Sequence, residues 1–178
     1  VDICNSKELT RVFKENKPDI VIHLAAESHV DRSIEGPFEF IHNNIVGTAI
    51  LLEEALSYFK SLHGNRKDIF RFLHISTDEV YGSISNGNSN ENSSYSPNSP
   101  YSASKSSSEL FTRVFSEMYS IPTTYIRSFN VFGEGQSEDM LIPQVIISGL
   151  EKKDIDLTKG EQTRDSIYIK DIIERPIT

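Results

Sequence analysis

An α/β fold built around a doubly wound parallel sheet is predicted by three observations. Short apolar runs alternate with stretches of helical periodicity along the chain, the pattern of strand–helix–strand units. The run at residues 19–26 (DIVIHLAA) is almost continuously apolar, as expected of a strand covered on both faces. Polar residues gather directly after the run at residues 69–76 (IFRFLHIS), and open parallel sheets bind ligands beyond the carboxyl ends of their strands.

Taken in order, Asn5 or Ser6 can cap a first helix in which Leu9, Val12 and Phe13 share one face, and Pro18 stops it. The strand at 19–26 follows. Pro37 opens a long helical pattern that runs to about Leu62 through Ile45, Val46, Ile50, Leu51, Leu52 and Leu56. The next strand is 69–76. Residues 83–99, rich in Ser and Asn, are too polar to pack and read as a surface loop. A helix is predicted over 101–119, a strand over 123–128, a helix over 138–152 and a short strand over 166–169. No internal repeat and no interdomain linker is evident.

A dinucleotide-binding sheet of this kind begins with a strand, a Gly-rich turn and a helix whose N-terminus receives a pyrophosphate. No such turn is found here: Gly133-Glu134-Gly135 lacks a third glycine and a following helix start. The expectation is therefore an internal fragment, Rossmann-like but lacking that first strand, loop and helix, with the strand at 19–26 left as a hydrophobic edge.

Composition narrows the function. Eighteen Lys and Arg against 26 Asp and Glu give a net charge of −8, which argues against nucleic acid as a general partner. A few local Arg or Lys residues still suffice to hold a diphosphate. The single Cys4 suits a reducing, cytoplasmic setting, and neither a signal peptide nor an apolar membrane span is predicted. The five histidines show no metal-ligand spacing, and they are expected to be structural or solvent-facing, with no metal site.

Two segments carry chemistry. In Tyr101-Ser102-Ala103-Ser104-Lys105, the phenol and the ammonium lie four residues apart on one helix face. An unperturbed phenol titrates near pH ~10, and a neighbouring ammonium would bring it toward working pH. The bland alternative is an exposed helical pair. In Thr77-Asp78-Glu79 a hydroxyl and two carboxyls follow a buried strand, where they would be costly to bury without partners; the bland alternative is a cap or turn.

Together these segments resemble the extended short-chain dehydrogenase/reductase family, whose mark is Tyr-x-x-x-Lys with an upstream Ser or Thr. The resemblance runs along the whole chain, through HLAAESHVDRS (23–33), NNIVGT (43–48), STDEVYG (76–82), SPYSASK (99–105), LIP (141–143) and RDSIYIKD (164–171). Thr-Asp-Glu before Val-Tyr-Gly looks like the branch of that family that dehydrates nucleotide-linked glucose, most familiarly dTDP-glucose, at carbons 4 and 6.

The resemblance implies NAD as cofactor and a nucleotide sugar as substrate. It implies catalytic roles for Thr77, Asp78, Glu79, Tyr101 and Lys105. Tyr101 accepts the proton of the 4-hydroxyl, Glu79 is the base at carbon 5, and Asp78 delivers a proton to the departing 6-hydroxyl. It places Asp2 and Ile3 near the adenine, Leu24, Ala25, Ala26 and Ser28 along the dinucleotide with Tyr101 and Lys105, and Asn44 near the active site. Ser28, Thr77, Asn130 and Arg164 would face the substrate. The segment then reads as one partial NAD-binding domain over 1–178, with a substrate-binding region starting at about 138, and family members often form homodimers.

Two positions depart from the dTDP-glucose pattern: Val131 stands where a second Asn is usual, and Met140 where a basic residue precedes Leu-Ile-Pro. The nucleotide (dTDP, UDP, GDP or CDP) stays open. So do an epimerase or decarboxylase of the same family and an inactive truncated segment.

Overall fold

The computed structural model describes residues 1–155 and 163–174. The chain forms two compact units, Val1–Arg127 and Ser128–Thr178.

The first unit opens with α1 (Ser6–Asn16), capped by Asn5, whose side-chain oxygen accepts from the Glu8 amide at 3.2 Å. Leu9 and Phe13 turn inward, and Lys17, held just before Pro18, closes the helix in the left-handed conformation. Strand β1 (Ile20–His23) pairs in parallel with β2 (Arg71–Thr77), with Val21 opposite Phe72 and His23 opposite His74; β3 (Thr123–Ser128) completes the order β1-β2-β3.

Between β1 and β2 lie α2 (Val30–Glu35), α3 (Pro37–Phe40), a π-helical segment (Ile41–Gly47), α4 (Thr48–Ser61) and α5 (Asn65–Ile69). Strand β2 runs into a single 3-10 turn (Asp78–Tyr81), and after a loop the long helix α6 (Pro100–Tyr119) begins in a capping box made by Ser99 and Ser102.

The hydrophobic core joins Leu9 and Phe13 of α1, Leu51, Leu52, Ala55, Leu56 and Phe59 of α4, and Phe70, Phe72 and Ile121 beside the strands. Sidedness is clearest in β1; in β2 Leu73 is buried as well as Phe72 and His74. Val21, His23, Phe72 and His74 share one face by register, whereas Ile20 and Ile22 on the opposite face of β1 are 58% and 55% exposed.

The second unit pairs β4 (Asn130–Phe132) in parallel with β5 (Ser166–Tyr168) and carries α7 (Leu141–Glu151) and α8 (Ile169–Glu174).

Several expectations change in detail. The apolar run at 19–26 is a strand only over Ile20–His23, and it is covered on one face, not two. Periodicity cannot see this, because an apolar side chain reads the same whether or not something lies over it. The long helix from Pro37 holds as one helical path, but its middle is wound as a π-helix. Helices α2 and α5, only six and five residues long, and the three-residue β4 carry too little pattern to be read in advance.

Candidate functional site

The end of β2 and the start of α6 are the chemically loaded part of the first unit. Thr77, the last residue of β2, caps the following turn: its hydroxyl accepts from the Glu79 amide at 3.2 Å and donates to the Asp78 carboxylate at 3.3 Å. That turn carries Asp78 and Glu79 as its first two residues. Gly82 ends it at φ +69°, and a side chain there would collide with the Ser96 carbonyl at 2.0 Å.

Tyr101 lies in the first turn of α6. Its amide donates to the Ser33 hydroxyl at 3.1 Å, which fixes the helix start against α2, and its ring meets the buried Phe40 edge-on at 6.4 Å. Burial, then the carboxylate of Glu79, then that of Asp78 push the phenol up to about 12, and the Thr77 hydrogen bond pulls against them. The structure thus brings Thr77, Asp78, Glu79 and Tyr101 into one electrostatic cluster.

Lys105, one turn further along α6, is 5% exposed and donates to the Ile75 carbonyl at 2.6 Å. Burial lowers its ammonium to about 8, with the Glu109 carboxylate opposing. The expected downward pull on the phenol is therefore not the outcome in this protein by itself. Desolvation and two carboxylates outweigh the ammonium, which is spent on a strand carbonyl.

A serine-rich helix face can be buried here because each hydroxyl finds a carbonyl one turn back: Ser104 bonds Tyr101, Ser106 bonds Ser102, Ser108 bonds Lys105 and Thr112 bonds Ser108, at 2.7–2.9 Å. Ser104 also receives the Asn44 amide at 2.9 Å. Asn44, 1% exposed in the π-helical segment, donates to the Glu27 carbonyl at 2.9 Å and accepts from the Glu27 amide at 2.8 Å. One side chain thereby ties the loop after β1 to the helix between Tyr101 and Lys105.

Behind Lys105 the histidines are neither solvent-facing nor charged. His23 bonds Thr48 at 2.8 Å and His74 bonds Ser108 at 3.2 Å, with their rings 5.1 Å apart. Burial, then the Lys105 charge, lower His23 to about 4 and His74 to about 2.

The residues expected along the cofactor divide. Leu24, Ala25, Ala26 and Ser28 are exposed at the carboxyl end of β1, and the two alanines leave the backbone open to close approach. This end of the sheet fits the extended part of a dinucleotide. Asp2 is exposed and its carboxylate accepts from the Cys4 amide at 2.8 Å, while Ile3 packs toward the core and fills the space beside Gly47.

Asn130 and Arg164 belong to the second unit. Asn130 starts β4, is exposed and donates to the Asp165 carbonyl at 3.4 Å; the exposed Arg164 lies two residues before β5. That unit also forms an open groove of about 400 Å³ lined by Phe132, Gln136, Ile142, Ile146 and Tyr168. Among the described residues, no three His, Cys, Asp or Glu side chains gather in a way that could hold a metal ion, and no helix is long and apolar enough to cross a membrane.

Sequence reasoning missed one cluster entirely. Glu109, fully buried on α6, forms an ion pair with Arg127, and the same guanidinium reaches Tyr81, Tyr95 and the Glu91 carbonyl. The one signal in advance was Glu109 standing four residues beyond Lys105, on the same helix face.

The model of the family described as GDP-mannose 4,6 dehydratase matches residues 1–177. A dTDP-glucose 4,6-dehydratase of Salmonella typhimurium is 48% identical over 181 residues, covering 96% of this chain and 50% of the relative. Among solved structures, DesIV, a dTDP-glucose 4,6-dehydratase of Streptomyces venezuelae with NAD bound, is similar with a TM-score of 0.85 at 36% identity, over 97% of this chain and 50% of that one. A UDP-glucuronic acid 4-epimerase of Bacillus cereus, in complex with UDP-glucuronic acid and NAD, is similar with a TM-score of 0.82 at 35% identity, over 97% of this chain and 52% of that one. The chain spans about half the length of the curated relatives it matches.

Proposed function

The chain belongs to the GDP-mannose 4,6-dehydratase family, and from that premise we propose that the intact protein is an NAD-dependent nucleotide-sugar 4,6-dehydratase, a hydro-lyase that turns an NDP-glucose into its 4-keto-6-deoxy sugar. The observation that carries the reading is the cluster of Tyr101, Thr77, Asp78 and Glu79, in which two carboxyls act on one buried phenol. A reaction that only oxidises and re-reduces carbon 4 has no use for two acids there. dTDP-glucose is the first substrate to test, on the names of the dehydratase relatives.

When bound, NAD accepts the hydride of carbon 4 and returns it to carbon 6, so none is consumed. Leu24, Ala25, Ala26 and Ser28 would hold it along β1, Asp2 and Ile3 would flank its adenine, and Tyr101 and Lys105 would meet its nicotinamide end.

Tyr101 takes the proton of the 4-hydroxyl as the C4–H bond breaks. The resulting ketone acidifies the hydrogen on carbon 5, which Glu79 removes. Asp78 protonates the 6-hydroxyl, which leaves as water. Glu79 then returns its proton to carbon 5 as carbon 6 receives hydride, and the proton held by Tyr101 restores Asp78 through solvent. The net change is the loss of one water. Each proton transfer contributes about 100- to 10,000-fold. The phenol, raised to about 12 in the protein alone, must be lowered for this work, and a positive nicotinamide held by Tyr101 and Lys105 would supply the charge.

Ser28 and Thr77 would face the sugar, and Asn130 and Arg164 the sugar and diphosphate of the nucleotide, with the substrate-binding region starting at about 138; an Arg fork suits phosphate oxygens. A homodimer is supported by the exposed apolar stripe of Phe111, Val114 and Met118 on α6. The single thiol supports a cytoplasmic setting.

A second reading, an epimerase of the same family, is favoured by the likeness to the 4-epimerase. Incubating the intact protein with NAD and dTDP-, UDP-, GDP- or CDP-glucose separates the two by product mass. Loss of one water supports the dehydratase; unchanged mass with inverted stereochemistry supports the epimerase.

A further inference from the structure

Arg127 sits where three pieces of the first unit meet, and its bonds run to each of them. Its Nε donates to both Glu109 carboxylate oxygens at 2.9 and 3.2 Å, on α6 one turn beyond Lys105. Another nitrogen donates to the Tyr81 hydroxyl, in the last residue of the turn that carries Asp78 and Glu79. The same nitrogen also reaches the Glu91 carbonyl at 3.1 Å, and the third reaches the Tyr95 hydroxyl at 2.7 Å, both in the loop that returns the chain to α6.

The guanidinium also lies 5.0 Å over the rings of Tyr81 and Tyr95 and 5.1 Å over Tyr125. Five N–H donors in one rigid plane, directed at α6, the acid turn and the loop, suit a part whose job is angular placement. A generic surface ion pair has no need of them, and this one is not on the surface: the Glu109 side chain is fully buried and that of Arg127 is 10% exposed.

We propose that Arg127 is a positioning residue of the elimination step: bound to Glu109 on α6 and to Tyr81 at the end of the acid turn, it sets Asp78 and Glu79 against the phenol of Tyr101. The inference rests on the dehydratase reading above and deepens it. Oxidation at carbon 4 depends on Tyr101, Thr77 and Lys105, which have bonds of their own to Ser33, Glu79 and Ile75. Removal of the carbon 5 proton and departure of water depend on the turn, which Arg127 does hold. Loss of Arg127 therefore splits the two halves of the reaction.

The test uses the intact protein with NAD and its NDP-glucose. In Arg127→Met, water loss falls about 100-fold, as expected for a misplacement of about 1 Å, with KM shifted far less, and reduced nicotinamide accumulates during turnover. Arg127→Lys keeps a charge for Glu109 but lacks the planar fork, so it retains the wild-type melting temperature and still accumulates reduced nicotinamide. Tyr81→Phe removes the hydrogen bond to the turn while keeping the ring, and shows the same split, about tenfold. Without cofactor or substrate, amide exchange in residues 78–82 rises at least about tenfold in Arg127→Lys, with α6 unchanged.

Wild-type elimination rates and exchange in both Arg127→Lys and Tyr81→Phe overturn the proposal, even if Arg127→Met fails to fold. If wild-type protein removes no water from any NDP-glucose, the dehydratase reading fails instead. The exchange of residues 78–82 then decides whether Arg127 holds the turn.

Discussion

Lys105 gives its ammonium to the carbonyl of Ile75 at 2.6 Å, so the base of the helical pair is anchored to the strand that ends in Thr77. Strand end, acid turn and phenol are thereby built as one piece, with burial lowering the ammonium to about 8 and raising the phenol to about 12.

Tyr101→Phe in the intact protein removes the group proposed to take the 4-hydroxyl proton. Hydride transfer should fall by about 100- to 10,000-fold, read as the appearance of reduced nicotinamide in a single turnover. Product formation at the wild-type rate would remove Tyr101 from the mechanism.

Glu79→Gln keeps the shape of the turn and loses the proposed base. Carbon 4 should still be oxidised while water loss slows by about 100-fold or more, so reduced nicotinamide builds up. A normal yield of dehydrated product assigns the carbon 5 proton to another group.

The phenol itself can be titrated. Without NAD, the difference in phenolate absorbance between wild type and Tyr101→Phe should show Tyr101 still protonated at pH 10, the ordinary value for a tyrosine. The direction follows from its causes: burial and two carboxylates disfavour a third negative charge. Saturating NAD should move the ionisation down.

Acid should destabilise the first unit through its paired histidines. His23 and His74 are lowered from 6.5 to about 4 and about 2, so between those values and 6.5 the unfolded chain binds more protons than the folded one. Their stability is full above pH 6.5 and is lost as pH falls through that window, by about 2 kcal/mol for each histidine at pH 5. Melting temperatures of His74→Leu and wild type should converge between pH 7 and 5. A constant gap would show that His74 does not drive the acid loss.

Asn44→Leu leaves the Glu27 amide and carbonyl without their partner in a buried place. It should cost about 2–3 kcal/mol in thermal unfolding. It should also loosen residues 24–28, seen as faster proteolysis there.

Much of this was legible in the sequence. The helix of Tyr101 and Lys105, the strand ending at Thr77 and the adjoining acids follow from periodicity and from polar residues placed after an apolar run. Asn5 was readable as a cap, and residues 83–99 as a loop. Other features depend on contacts that no local pattern encodes. Ile20 and Ile22 are apolar yet exposed, because exposure is set by what lies across the sheet. The loop is polar yet anchored, because Tyr95 and the Glu91 carbonyl meet Arg127, which lies more than thirty residues further along. Glu109 looks like any helix surface acid until that arginine folds against it.

The seven residues from Ile41 to Gly47 wind more loosely than the helical turns on either side. Removing any one of them would let the coil tighten into ordinary α geometry, a change that local helix energetics should favour. The cost would fall elsewhere: Asn44 lies inside the segment, and rewinding it would displace the amide that now bridges Glu27 and Ser104. A one-codon deletion here is thus the change expected to yield a sturdier helix and a dead enzyme.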